Sequence, residues 1–168
     1  MPSPAYMKVT GVTQNNITEG ANSTESMGNQ FQSQHADECL VIAFEHVIDI
    51  PTDPSSGQPS GKRVHNGMTV TKRFDKSSPL LYNSLCSGER LDVELTWYRT
   101  SEGGTQELYF SHKLEDATIV NIRGFMPNTL DPKFEQYQHH EEVTFSYRKI
   151  TWNHTIANTE GHDDYDLI

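Results

Sequence analysis

Residues 74–100 read FDKSSPLLYNSLCSGERLDVELTWYRT and place a helix pattern directly before a strand pattern. Ser78 has the side chain of a helix N-cap. Pro79 suits the first helical position, because the N–H that proline lacks has no partner there. Gly88 is the residue type that most easily takes the left-handed conformation at a helix end. The stretch therefore predicts one short α-helix over Ser78–Ser87.

The predicted helix has an apolar side. Leu81 and Leu85 are four residues apart, and Tyr82 and Cys86 lie beside them. Residues with this spacing share one face of a helix, so this face is expected to pack against a core.

A strand pattern follows the helix immediately. Apolar and polar residues alternate from Leu91 to Tyr98, which is typical of a strand buried on one side. Similar patterns predict further strands at residues 6–9, 39–50, 64–74, 105–111, 117–125 and 143–152. In the last of these the apolar residues change phase, which predicts a bulge or burial of different faces. The chain is therefore predicted to be mainly β, a small antiparallel barrel or sandwich with one flanking helix.

The overall charge excludes some classes of partner. The chain has 168 residues, with 13 Lys and Arg against 23 Asp and Glu, and a formal net charge of −10. Such acidity argues against binding to nucleic-acid phosphates or to an anionic membrane surface. No stretch approaches the roughly 18 apolar residues of a membrane span, so no membrane insertion is expected. The N-terminal sequence lacks the layout of a signal peptide, which predicts synthesis in the cytoplasm and any export by another route.

The chain contains two cysteines, Cys39 and Cys86. Cys39 begins an apolar run, and Cys86 lies on the apolar side of the predicted helix. We expect two buried thiols, although the sequence also allows one disulfide.

Residues 39–50 form the longest apolar run and have apolar side chains on both faces of the predicted strand. One face can join the core, and the other then needs the helix or another subunit as a cover. The residues on this second face are Val41, Ala43 and Val47. These three are the candidate subunit-interface residues.

Residues 51–61, PTDPSSGQPSG, consist almost entirely of turn-forming residues. Each proline fixes its own φ and restricts the residue before it, so we expect a stiffened arm rather than a floppy loop. A projecting arm of this kind is a candidate contact element. Its residues are Pro51, Thr52, Asp53, Pro54, Ser55, Ser56, Gly57, Gln58, Pro59, Ser60 and Gly61.

No catalytic, cofactor-binding or metal-binding motif emerges. Phosphate-binding loops, Cys-x-x-Cys pairs and His-Glu-x-x-His motifs are absent from the sequence. His139 and His140 precede two glutamates, but adjacent strand residues point to opposite faces and cannot easily share one ion. We therefore predict a solvated polar loop there. His46, among apolar residues, is interpreted as a hydrogen-bonded interior or interface histidine.

The predicted domain organisation is simple. Residues 1–157 form one domain, and residues 158–168 form an acidic tail that is expected to be disordered.

Several long collinear stretches of the chain carry a likeness to known proteins. Residues 41–89 contain VIAFEHVIDIPTDPSSGQPSGKRVHNGMTVTKRFDKSSPLLYNSLCSGE, and residues 93–120 contain VELTWYRTSEGGTQELYFSHKLEDATIV. The segments PAYMKVTGVTQNNITEGA, FMPNTLDP and VTFSYRKITWNH add to the likeness, which extends to His154. With strand, helix and strand in the same order, these stretches resemble the haemolysin-coregulated protein (Hcp) family of type VI secretion.

The resemblance implies a β-barrel of two sheets with a flanking helix, and a structural tube subunit rather than an enzyme. It further implies homohexameric rings that stack into a tube, a contractile sheath that propels the tube, and a spike protein at its tip. It also implies that the ring lumen can carry small effector proteins. The loop that corresponds to residues 51–61 serves ring stacking in the family. The resemblance also implies secretion from the bacterial cytoplasm without a signal peptide.

The sequence leaves two other functions open. A monomeric small-molecule-binding β-barrel agrees with the fold class alone, and it requires a closed interior cavity. A metal-dependent hydrolase would need His139 or His140 as a ligand. The binding barrel also predicts that no large apolar face is exposed, and metal analysis of purified protein would test the hydrolase.

Overall fold

The computed structural model describes residues 3–30 and 33–165, and within these ranges the chain is mainly β. Two α-helices are present there, α1 (Thr24–Met27) and α2 (Ser78–Ser87), and none of the described helices is long and apolar enough to span a membrane. The strands are β1 (Ala5–Gly11), β2 (Asn15–Asn16), β3 (Cys39–Val41), β4 (Ala43–Asp49), β5 (Val64–Arg73), β6 (Leu91–Thr100), β7 (Gln106–Phe125), β8 (His140–Ser146), β9 (Lys149–His154) and β10 (Thr159–Asp164).

The strands form two antiparallel sheets that share β7. The first sheet contains β1, β2, β3, β6, β9 and β10 together with the first part of β7. The second contains β4, β5, β8 and the remainder of β7. On the opposite side the chain passes from β3 in the first sheet to β4 in the second, and the Ile42 N–H donates to the Thr71 carbonyl at 2.8 Å. The sheets therefore close into the predicted barrel.

One strand of 20 residues, β7, replaces the two strands predicted at residues 105–111 and 117–125. Asp116 has a φ of 55°, and the pairing with β8 shifts register between Ile119 and Asn121. Such irregularities turn the strand from one sheet into the other and interrupt the strict alternation of polar and apolar residues. The interruption made one bent strand resemble two.

The phase change within residues 143–152 has a different origin from the predicted bulge. The chain leaves β8 after Ser146 and enters β9 at Lys149, and the two strands pair with different parts of β7. Each strand keeps its own alternation, so the phase shift marks a change of sheet.

The interior of the barrel is filled by apolar side chains from both sheets. Met68 and Phe145 of the second sheet and Leu95 and Leu114 of the first are fully buried, and Leu81 of α2 packs with them. Burying side chains of this size is the main source of stability for such a fold.

Helix α2 has the predicted bounds, but its first turn lacks the predicted side-chain N-cap. Neither Ser77, at the N-cap position, nor Ser78 caps the helix, because the Ser78 hydroxyl donates to Glu141 at 2.6 Å instead. Leu81 is buried and Leu85 is half-buried, as predicted. Cys86 is exposed, which corrects the expectation of a second buried thiol.

Gly88 ends α2 in the predicted left-handed conformation, with φ 69° and ψ 28°. A Cβ at this position would contact nothing within 4 Å, so only backbone strain opposes a side chain. We expect Gly88→Ala to lower the free energy of unfolding by about 1 kcal/mol. Urea denaturation would measure this loss. Gly103→Ala is the control, because a Cβ there meets only the Ser101 hydroxyl oxygen at 3.8 Å, an ordinary contact, and its φ lies outside the left-handed region; an equal loss in both variants would contradict the assignment.

The segment after β9 is ordered, contrary to the predicted disordered tail. Thr159–Asp164 form β10, which pairs along its whole length with β9 after a turn that contains Asn158 at φ 56°. The acidic, polar composition of this segment shows no strand pattern, so the sequence did not predict β10. The strand is held by backbone hydrogen bonds to β9. Residues 166–168 of the predicted tail lie outside the described residues.

The polar connection predicted between β1 and β3 packs closely on the barrel. Ile17 and Ala21 are buried. The Glu89 carboxylate, which follows α2, accepts hydrogen bonds from the backbone N–H groups of Thr13 and Gln14. Desolvation raises the pKa of Glu89, but the hydrogen bonds from the Gln14 side chain and from these two N–H groups outweigh it and lower the pKa. The connection is thereby tied to the end of the helix.

Candidate assembly surfaces

The arm, residues 51–61, joins β4 to β5 and is exposed at every residue. It is a narrow hairpin in which Thr52 and Pro59 form an isolated antiparallel bridge. The Asp53 N–H donates to the Gln58 carbonyl at 2.8 Å, and the Ser60 N–H donates to the Pro51 carbonyl at 2.8 Å. The arm thus has its own backbone hydrogen bonds.

The tip of the arm is held by Asp53. Its carboxylate accepts hydrogen bonds from the Ser55 N–H at 2.8 Å and the Ser55 hydroxyl at 2.7 Å, and these bonds lower the pKa of Asp53. Gly57 closes the turn with a φ of 72°, and its N–H donates to the Asp53 carbonyl. An exposed segment with this internal bonding loses little entropy when it binds a partner.

A chain of hydrogen bonds fixes the root of the arm. Arg63 donates to the Asp163 carboxylate of β10, and His65 Nε2 lies 2.7 Å from the same oxygen. The Tyr147 hydroxyl lies 2.6 Å from His65 Nδ1 and 2.7 Å from His46 Nε2. The network joins β4, β5, β10 and the connection between β8 and β9, so four segments support the arm.

One proton position of this network follows from its partners. An ionised Asp163 carboxylate only accepts hydrogen bonds, so His65 Nε2 is the donor in their contact. The Tyr147 hydroxyl links the two histidine rings, and burial lowers the pKa of His46, as does the nearby His65. His46 is therefore hydrogen-bonded, as predicted.

A further histidine, His112, lies near this network. Burial lowers the pKa of His112 to about 4, and its Nδ1 accepts a hydrogen bond from the Trp97 indole at 2.9 Å.

Asp163 gives this network a pH dependence. The Arg63 guanidinium lowers the pKa of Asp163, as does His65, although desolvation opposes the shift. A depressed pKa stabilises the folded protein above the unfolded value of about 4, and this stabilisation is lost as the pH falls through the lower folded value.

We therefore expect the melting temperature of Asp163→Asn to fall less steeply than that of the native chain as the pH drops below about 4. Melting curves followed by circular dichroism between about pH 2 and 7 would measure the two slopes. Glu160→Gln is the matched control, because Glu160 is exposed on the same strand. Identical slopes for the native chain and Asp163→Asn would contradict the expected role of this carboxylate.

The outer face of β4 carries exposed apolar side chains. Ala43 and Val47 of the predicted interface set are exposed, but Val41 is half-buried and packs on the core. Ile48 and Ile50 are also exposed, at 37% and 49%, and the prediction missed them because it assigned them to the core face. The irregular pairing of β4 with β5 between His46 and Ile48 breaks the alternation and turns these side chains outward. Clustered apolar side chains on a surface indicate a site of association.

Comparison with known proteins identifies the family of this chain. Residues 6–154 match the family described as type VI secretion system effector, Hcp. The chain belongs to the Hcp family. Hcp proteins are secreted tube components of type VI secretion and are not enzymes.

Similar Hcp proteins cover almost the whole chain. The "Major exported protein" of Pseudomonas aeruginosa is 52% identical over 98% of this chain and 96% of the relative. An Hcp protein of known crystal structure is 44% identical, with a TM-score of 0.92 over 97% of this chain and 98% of that chain. The secreted protein Hcp3 from Pseudomonas aeruginosa is 46% identical, with a TM-score of 0.83 over the same shares.

The histidine pair of this Hcp chain lies partly inside the barrel wall, which corrects the predicted polar loop. His140 and Glu141 are buried at the start of β8, whereas His139 is exposed and stacks on Phe74 with ring centroids 6.0 Å apart. Burial lowers the pKa of His140, as does the nearby Arg73. The two histidines point apart, as predicted, and the described residues contain no group of three potential metal ligands.

Both cysteines of the Hcp chain are free thiols. Cys39 is buried, and its sulfur lies 3.3 Å from the Ser77 hydroxyl. Burial raises the pKa of Cys39 to about 12, with Asp75 adding to the shift. Cys39 is therefore a packed interior thiol at neutral pH, and Cys86 is the accessible one.

Proposed function

We propose that this chain forms six-membered rings and that the rings stack head to tail into the inner tube of a type VI secretion system. The observation that carries the proposal is the arm, which is exposed at all its residues and yet held by its own hydrogen bonds. Family membership supplies the biological setting, in which a contractile sheath drives the tube with a spike protein at its tip. The ring lumen carries small effector proteins.

The two surfaces have separate roles in this proposal. The arm is the stacking element. The exposed residues of β4, including Ala43 and Val47, close the ring against a neighbouring subunit, where burial of apolar area favours association. Val41 is omitted from this surface because it packs on the core of its own barrel.

The proposed route of export begins in the bacterial cytoplasm and passes through the secretion apparatus itself. A relative with 52% identity is named a major exported protein, which supports secretion of this chain.

The alternative functions gain no support. The barrel interior is filled by buried side chains such as Met68, Leu95 and Phe145, so the residues that would line a ligand chamber form a core. A hydrolase centred on His139 or His140 would need further metal ligands, and the described residues do not assemble them.

The two proposed interfaces should respond differently to added salt. A ring of six chains carries a formal charge of about −60, six times the −10 of one chain, and stacked rings repel each other. Added salt shortens the range of this repulsion to about 8 Å at 0.15 M. We expect stacking to increase with salt, while apolar ring closure changes little.

Electron microscopy of purified protein from low to high salt would test this expectation directly. Single rings should dominate at low salt, and stacked rings should become longer as salt is added. Stacks that dissolve with rising salt would contradict the electrostatic reasoning, and the absence of rings at every salt concentration would contradict the proposed function.

A further inference from the structure

The arm is the end of a two-stranded ribbon, residues 47–67, that leaves the barrel wall at an irregular point. The pairing of β5 with β8 begins at Met68, and the earlier residues of β5 pair with β4 at the edge of the sheet. The pairing of β4 with β5 shifts register between His46 and Ile48, and Gly67 lies within the shifted interval with a φ of 83°. Bulges of this kind interrupt the backbone ladder and bend a strand pair. The ribbon can therefore tilt against the barrel at this point.

Arg63 and His65 hold the ribbon against the barrel. The His65 side chain is 3% exposed; its Nε2 lies 2.7 Å from the Asp163 carboxylate, and its Nδ1 lies 2.6 Å from the Tyr147 hydroxyl. Arg63 donates to the same carboxylate, and the His65 backbone N–H donates to the Tyr165 hydroxyl at 2.7 Å. These hydrogen bonds to barrel side chains hold the ribbon where the regular pairing with β8 has ended.

The Tyr147 hydroxyl lies between two histidine rings and has one proton for two hydrogen bonds. It is 2.6 Å from His65 Nδ1 and 2.7 Å from His46 Nε2. Each contact needs one proton, so one ring must present an N–H to the oxygen and the other must accept the Tyr147 proton. When both rings are charged, both present an N–H, the Tyr147 O–H loses its acceptor, and two neighbouring cations repel. The closed arrangement therefore holds at most one charged histidine.

The groups around the two rings do not relieve this limit. From β7, His112 faces His46 with ring centroids 6.2 Å apart. From β10, the Asp163 carboxylate binds Arg63 and His65 rather than His46. Burial lowers the pKa of His46, and the nearby His65 adds to the shift. A proton on His46 is thus disfavoured as long as the ribbon lies against the barrel.

We propose that His46, Tyr147, His65 and Asp163 form a proton-operated latch, which holds the ribbon and its arm against the barrel and opens in mild acid. Opening separates the two rings, so that His46 takes up the proton that the closed arrangement excludes. The latch acts within one subunit, and any effect on stacking rests on the proposed function.

The direction of the pH effect follows from the lowered pKa of His46. Above the ordinary histidine value of about 6.5, the closed and open forms carry the same charge on His46, and pH has no effect. Below that value the open form binds a proton that the closed form does not, so the open fraction rises until the pH reaches the lowered value of the closed form. Asp163 stays ionised in this range, because its own pKa is lowered from about 4.

Hydrogen exchange followed by mass spectrometry tests the latch in the whole chain. Exchange of residues 63–67, corrected for the rate of an unstructured peptide at each pH, gives the open fraction of the ribbon. At low salt, where stacking is suppressed, we expect this fraction to rise about fivefold between pH 7 and pH 5.5, as the uptake of one proton requires. Residues 91–97 of the core strand β6 should keep their protection.

The native chain alone can overturn the inference. An open fraction that stays constant down to pH 5 would contradict the latch. A rise that begins only below about pH 4 would assign the opening to Asp163 and would equally overturn the role of the histidine pair. The readout belongs to one subunit, so chains that form no stacks or no rings still report on the latch while contradicting the proposed function.

A non-titrating side chain at position 46 should remove the pH dependence. His46→Gln keeps an amide near the position of Nε2 but takes up no proton, so its open fraction should change less than about twofold between pH 7 and pH 5.5. His162→Gln is the matched control, because His162 is exposed on β10 outside the latch, and it should keep the fivefold rise. An equal rise in both variants would overturn the assignment to His46.

Discussion

Removing the tip of the arm should leave six-chain rings intact and abolish their stacking. The variant replaces residues 53–58 with Asn-Gly, a pair that closes tight hairpins, between Thr52 and Pro59. All the deleted residues are exposed and their hydrogen bonds are internal to the arm, so the free energy of unfolding should change by less than about 0.5 kcal/mol. Stacking should fall below detection because its main contact is gone.

Sedimentation velocity and electron microscopy at a salt concentration that favours stacks of the native chain would measure both properties. The matched control is a change in another exposed hairpin, Glu102→Gly in the turn between β6 and β7, which should stack normally. Unchanged stacks after the arm deletion would show that another surface joins the rings, whereas loss of the rings themselves would place the arm in ring closure.

Replacing Lys72 with methionine should have the largest effect on stability. The Lys72 ammonium group is fully buried and donates to Glu141 at 2.5 Å, to Asp75 at 3.1 Å and to the Ser78 hydroxyl at 3.1 Å. Burial alone would lower the pKa of Lys72, but the neighbouring carboxylates raise it, so the group stays charged. Lys72→Met leaves two carboxylates with no cation, and removing one partner of a buried pair typically costs about 3–5 kcal/mol.

Urea denaturation at a fixed protein concentration would measure this loss, since ring formation makes stability depend on concentration. Arg123→Met is the control, because its partner Glu142 follows Glu141 on β8 but forms an exposed pair at 3.1 Å. That pair should contribute less than about 1 kcal/mol. Adding Glu141→Leu to Lys72→Met should recover part of the loss. Equal losses in Lys72→Met and Arg123→Met would contradict the importance of burial.

Helix α2 and strand β6 could be predicted because their signals are local. The proline, the leucine spacing and the terminal glycine lie within one short stretch, and the alternation after Leu91 is uninterrupted. The turn character of the arm could also be predicted from the sequence, since turn residues act through their own backbone preferences. The local patterns left a barrel and a sandwich open, and the family likeness favoured the barrel. The likeness also implied the ring assembly, which stays a prediction.

Other features depend on distant partners and left no local signal. Strand β10 is polar and acidic, and its stability comes from pairing with β9 and from the contact between Arg63 and Asp163. Lys72 and Glu141 are 69 positions apart, so their pairing follows only from the register of β5 and β8. The outward turn of Ile48 depends on irregular pairing that the sequence alone does not show.

The mass of the native protein in solution tests the central claim most directly. The chain has a mass of 19.1 kDa, and a ring of six has about 115 kDa. Native mass spectrometry or light scattering at low salt, where stacking is suppressed, should give a dominant species of about 115 kDa. A monomer of 19.1 kDa that persists at high protein concentration would contradict ring formation and show that this chain has kept the Hcp fold without its assembly.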